Sequence, residues 1–284
     1  AAPWSPQGPR SQKDGRRSRR FPALGSGCQT RNQTRLYLRA QTRPDQGLKG
    51  IIRMSLPVVF VGGNKGGVGK SLASMALIDY WLSQKPAKPV FLVETDTSNP
   101  DVAHAYGKTV PHYLPQISER DGWIDLVDKL DEPEQRKSCI VVNLASQSNG
   151  FWEQYGSILL TGLQEMKRPA ICLWLINRQK DSLELLAEFR DMAAGVKIHV
   201  VRNAYFGEER KFELYNGNAL RGEIEGVGGK SVTFPELADR ITDRLYTERM
   251  TVGEAGGKGM LLGSQAEVQR WQRECAAMFA QMGL

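Results

Sequence analysis

One stretch limits what this chain can fold into more than any other: VVFVGGNKGGVGKSLASMALIDYW, residues 58–81. A short apolar run reads as a buried strand, a glycine-rich turn follows, and a helical pattern begins. Glycines let successive backbone N–H groups curl around a phosphate. The start of the helix adds its free N–H groups and its dipole. Lys70 stands where it can reach the β- and γ-phosphates of a nucleotide, and the Ser71 hydroxyl where it can ligate Mg²⁺. Two residues depart from the common phosphate-loop pattern. Asn64 occupies the slot of its first glycine, and Lys65 adds a second lysine inside the loop.

The rest of the chain alternates in the same way. Apolar runs at 57–61, 90–94, 138–143, 170–176 and 196–202 read as buried parallel strands, with a short one at 231–234. Helical patterns cover 70–84, 122–130, 181–194, 235–247 and 264–282. SNPDVAHAYG starts a further short helix, with Ser98 or Asn99 as cap and Pro100 at its first helical position. Asp181 is the expected cap of the 181–194 helix. Strands alternating with helices predict an α/β fold: a doubly wound, mostly parallel sheet flanked by helices. Residues 204–230 are Gly-rich and weakly patterned, and are expected to be an insertion over the ligand-binding edge of the sheet. On this reading residues 54–284 are a single domain.

The net charge of +7 is unevenly placed. Residues 1–53 hold twelve Lys/Arg and two Asp/Glu, leaving 26 basic and 29 acidic residues for the remainder. The body therefore makes no general electrostatic case for nucleic acid. The first 53 residues read as a disordered basic arm. An arm for nucleic acid or an acidic surface, a transit segment and a stretch foreign to the natural protein compete, and the last is favoured, with the domain starting near Met54. The four cysteines, Cys28, Cys139, Cys172 and Cys275, show no metal or redox spacing. Reduced thiols and a cytoplasmic setting are expected. No apolar run reaches the roughly 18–20 residues that span a bilayer.

KGGVGKS resembles the deviant phosphate loop of the ParA/MinD family of ATPases. In that family the first glycine slot is variable, so Asn64 fits, and the added lysine is the signature. The resemblance implies that Asn64, Lys65, Gly66, Gly67, Val68, Gly69, Lys70, Ser71 and Leu72 hold ATP with Mg²⁺. It implies an ATP-dependent homodimer in which Lys65 of one subunit reaches the phosphates of the other. A second cation there neutralises the triphosphate and ties dimerisation to it.

In VFLVETDTSNPD the resemblance implies two acids at the strand end. Asp96 would position the attacking water, and Glu94 would help hold the Mg²⁺ shell. With Lys65 and Lys70, Asp96 completes the implied catalytic set. The strand of CIVVNLASQSNG should end in an aspartate and ends in Asn143. A neutral amide can accept from metal-bound water but brings no charge, so slow or partner-dependent hydrolysis is expected. Ser71, Glu94 and Asn143 are the implied metal set. Asn203 is expected at the adenine edge, with a strand-end turn as the competing reading. Residues 249–259 resemble the family's late loop over the base.

The last helix puts Val268, Trp271, Cys275, Met278 and Phe279 on one face, while its polar face mixes Glu267, Arg270, Arg273 and Glu274. Without a basic excess it is expected to pack on the sheet and not to bind a membrane. The resemblance implies a weak or partner-stimulated ATPase, converting ATP to ADP and phosphate, in plasmid mobilisation, conjugation or DNA partition. Implied partners are a DNA-bound adaptor or a relaxase complex, with direct DNA binding left open. Two alternatives stand beside it: an ATP-binding adaptor that barely hydrolyses, and an enzyme on the same scaffold with another substrate.

Overall fold

Val58–Gly62 (β1) has no polar side chain, and all five of its residues are buried. A strand like this needs cover on both faces, which only a sheet between two helical layers supplies. The structure, a computed structural model, describes residues 56–63, 65–146, 148–257 and 260–284. They lie in one compact unit, Arg53–Leu284. The basic arm and Asn64 lie outside the described residues.

After β1 come Lys70–Ser83 (α1), Val90–Glu94 (β2), Asp101–Tyr106 (α2), His112–Tyr113 (β3) and Arg120–Asp131 (α3). Cys139–Asn143 (β4), Asn149–Glu165 (α4), Ala170–Ile176 (β5), Lys180–Met192 (α5) and Lys197–Asn203 (β6) follow. The chain closes with Glu213–Asn216 (α6), Ala219–Gly226 (α7), Ser231–Phe234 (β7), Asp239–Thr247 (α8), Val252–Gly256 (α9) and Leu262–Met282 (α10). The strands form one sheet in the order β3-β2-β4-β1-β5-β6-β7, and every pairing is parallel. Val59 pairs with Val141 on one side and Ile171 on the other. After β4 the chain crosses β1 to reach β5, so winding reverses at β1. In an open parallel sheet the crevice at such a reversal, at the carboxyl strand ends, is where ligands bind.

Alternate residues feed two cores. Val59, Val61 and Val141 face the layer containing α1 and α10, where Trp81 and Trp271 are buried. Val58, Phe60 and Val142 face the layer of α3, α4 and α5. Trp152 of α4 is the hub of this second core. Its ring meets Phe60, Trp123 and Phe189 edge-on at 5.3, 5.4 and 5.3 Å. The whole of α4 escapes the sequence reading, because Gly150, Gly156 and Gly162 dilute its helical signal. Gly162 is there for contact: a Cβ on it would lie 2.5 Å from a Val127 methyl of α3.

Other expectations shift. Pro100 is the N-cap of α2 and not its first helical residue. Gln179, not Asp181, precedes α5, with no side-chain cap. Residues 235–238 are neither strand nor helix before α8, and residues 252–256 of the late loop are helical. Residues 204–230 are the β6–β7 crossover. They bury Phe212, Tyr215, Leu220 and Ile224 against the second core, so most of the segment packs beside the sheet instead of covering its binding edge. The apolar face of α10 is buried from Val268 to Met282. No helix among the described residues is long and apolar enough to cross a membrane.

Candidate functional site

The loop after β1 turns into α1 at Gly69, which adopts φ 100° and carries no side-chain cap. A left-handed residue here favours glycine, and a Cβ would meet the Asn203 amide at 2.5 Å. The first turn of α1 has no acidic residue. Its N–H groups and dipole are thus uncompensated and face the crevice. Lys70 is buried to 8% exposure. Its Nζ donates to the Lys65 carbonyl at 2.9 Å and to Ser146 Oγ at 2.8 Å. Burial pulls its pKa down to about 8, against the pull of Asp96 and Glu94. A desolvated ammonium on two neutral oxygens is set to take a polyanion.

This loop floors a cleft of about 630 Å³. Gly66, Gly67, Lys70, Ser71, Leu72, Asp96 and Asn143 line it at the loop end. Val68 is buried beneath them and holds the loop down. Asp96 accepts the Asn99 N–H at 3.1 Å. Behind this surface runs a buried chain. Ser74 Oγ donates to Asn143 Oδ1 at 3.0 Å, and Asn143 Nδ2 donates to Glu94 Oε1 at 2.8 Å. Glu94 is fully buried. Burial raises its pKa to about 7, and its second oxygen has no partner. Glu94, expected in the metal shell, therefore sits behind Asn143 and not on the cleft surface. The Asn143 amide is committed inward at both ends.

A triphosphate in such a cleft brings Mg²⁺, which keeps several waters and takes one or two protein oxygens. Ser71 and Asp96 supply oxygens on the cleft wall, and these suit that ion. No group of three or more His, Cys, Asp or Glu converges as a metal cage among the described residues.

Lys65 does not point across the cleft. It forms an ion pair with Asp181 and donates to Gln179 Oε1 at 2.5 Å, so the start of α5 holds it on its own chain. Asn203 follows the competing reading, a strand-end turn after β6. Its Nδ2 donates to the Val68 carbonyl at 2.9 Å and its Oδ1 accepts the Tyr205 N–H at 3.1 Å. It lines the cleft, but as a brace for the phosphate loop. The far end of the cleft is walled by Tyr205, Phe234, Pro235, Glu236, Leu237 and Tyr246. The sequence reading missed this wall and Ser146. Pro235, directly after an apolar run, was the available signal for the wall.

No family model matches this chain. Protein MobD of Acidithiobacillus ferrooxidans is 47% identical to it over 221 residues, spanning 78% of this chain and 95% of that protein. The chain belongs to the MobD family. Among solved structures, this chain is similar to the MinD cell division protein of Aquifex aeolicus, at 14% identity and TM-score 0.47, covering 80% of this chain and 98% of that one. A plasmid partition protein of Borrelia burgdorferi bound to AMPPNP matches at 14% identity and TM-score 0.48, over 80% and 99% of the two chains. The ATP complex of Cyanothece McdA matches at 10% identity and TM-score 0.49, over 81% and 97%. The MobD-family chain has a P-loop NTPase fold, carried by its parallel sheet and its strand–loop–helix.

Proposed function

We propose that this protein is an ATP-binding nucleotide switch that dimerises around ATP and acts in plasmid mobilisation, conjugation or DNA partition. One observation carries the reading: a buried lysine and an uncompensated helix start share one cleft at the winding reversal of the sheet. The MobD relative supports mobilisation as the setting, with a DNA-bound adaptor or a relaxase complex as partner.

ATP would enter with its phosphates on the loop N–H groups. Lys70 then exchanges Ser146 and the Lys65 carbonyl for phosphate oxygens. Ser71 and Asp96 would hold Mg²⁺, which when bound would supply neutralising charge on the triphosphate. Asp96 orients the attacking water. Lys65 leaves Asp181 and reaches the phosphates bound by the second subunit. Titration calorimetry with ATP and light scattering with and without it test the reading. Tight ATP binding and an ATP-dependent dimer are expected; a protein that binds no ATP contradicts it. Asp96→Ala should trap the ATP dimer, and unaltered turnover would refute its role.

A second reading is an ATP-binding adaptor with negligible turnover. The inward commitment of Asn143 favours it, since the amide faces Ser74 and Glu94. Turnover at background with DNA and partner extract present, alongside intact ATP binding, would select this reading.

A further inference from the structure

The wall at the far end of the cleft is thin. Pro235 and Glu236 line the nucleotide cleft on one side. On the other they border a separate groove of about 750 Å³, with Glu267, Arg270 and Glu274 of α10 across it. The wall is a link between β7 and α8 that is neither strand nor helix, and its Pro235 and Glu236 carbonyls lie outside both hydrogen-bond ladders. Two of them are taken by consecutive residues of α10. Trp271 Nε1 donates to the Pro235 carbonyl at 2.8 Å, and Arg270 Nη2 to the Glu236 carbonyl at 3.0 Å. Phe234 packs edge-on against Trp271 at 5.6 Å.

These donors are themselves held. Trp271 is fully buried. Arg270 is gripped by Glu267, from Nε at 2.8 Å and Nη2 at 2.7 Å, and by Glu274, from Nη1 at 2.6 Å. Those carboxylates raise its pKa further above the usual arginine range. A planar guanidinium tied on both edges cannot swing, and it delivers its remaining donor capacity to one place. Three successive wall residues, 234–236, thus take their positions from α10 while facing the cleft.

We propose that Arg270 and Trp271 are positioning residues for the nucleoside end of the cleft. The proposal rests on the nucleotide reading above. The phosphate loop fixes one end of a bound nucleotide, so whatever the phosphates carry must extend toward the wall. The wall therefore reads the nucleoside and not the phosphates.

The test compares ATP with inorganic tripolyphosphate on the full chain. Titration calorimetry and thermal melts are run on the wild type, Arg270→Ala, Trp271→Phe and, as control, Arg273→Ala. Arg270→Ala and Trp271→Phe should weaken ATP by about three- to tenfold, the worth of one lost hydrogen bond. Tripolyphosphate should bind both variants as it binds the wild type, and Arg273→Ala should change neither ligand. If Trp271→Phe melts early, Arg270→Ala, with its half-exposed side chain, still decides. ATP affinity within twofold of wild type in Arg270→Ala, or equal losses for ATP and tripolyphosphate, would overturn the proposal. In those cases the nucleotide reading survives. A wild type that binds neither ligand refutes both.

Discussion

Lys70 is charged in a place that resists charge. With its pKa lowered to about 8, its ammonium loses the proton as pH rises through 8. ATP affinity measured by calorimetry should fall across that range. Folding stability moves the other way. The unfolded lysine keeps its proton to about 10.5, so the unfolded chain binds more protons between 8 and 10.5, and this group's contribution to stability rises with pH there. Lys70→Ala should weaken ATP by about 100-fold or more, because charge-assisted contacts to phosphate are lost in a desolvated site. His199 shows the acid counterpart. It is 1% exposed, both ring nitrogens lack partners, and burial lowers its pKa to about 4. The unfolded histidine protonates near 6.5, so stability falls as pH drops from 6.5 to 4. His199→Leu should flatten that slope in urea titrations at pH 7 and pH 5. At this scale the sequence is readable where chemistry is local, as in the Lys70–Ser71 pair. The uses of Ser146 and Asn203 were hidden because their partners lie 76 and 135 residues away.

Elements were legible in proportion to how strongly burial marks them. Strands covered on both faces read as unbroken apolar runs, and β2 and β5 fall where those runs do. The two-residue β3 is too short to carry a pattern. The helix α4 was lost to its glycines, whose purpose is visible only in the packed layer. Gly162→Ala would push a methyl into Val127 and should destabilise the protein by about 1–3 kcal/mol in urea unfolding. A second junction depends on Arg168, which is 7% exposed. Its guanidinium donates to the carbonyls of Leu56 at 3.0 Å, Pro57 at 3.4 Å, Gln135 at 2.8 Å and Ser138 at 2.6 Å. It ties the entrances of β1 and β4 together from the β5 side. Arg168→Ala takes the donor from the Leu56 and Ser138 carbonyls, while those of Pro57 and Gln135 keep backbone N–H partners, and should cost about 3 kcal/mol, read as a lower urea midpoint.

For the whole molecule, the deciding residue is Lys65. Its signature position was visible in the sequence, while its clasp by Gln179 and Asp181 was not. Lys65→Ala should leave ATP affinity within a few-fold and abolish the ATP-dependent dimer in light scattering; a surviving dimer would refute the cross-subunit role. The cleft also sets a schedule for the ribosome. Its floor is made at residues 66–72, early in the domain, and its far wall at residues 234–237, near the end. A nascent chain halted after β6 has its phosphate loop but lacks the wall and the helix behind it. The two ends of the cleft come together only after β7, α8 and α10 have been made, so a chain interrupted between them holds half a cleft.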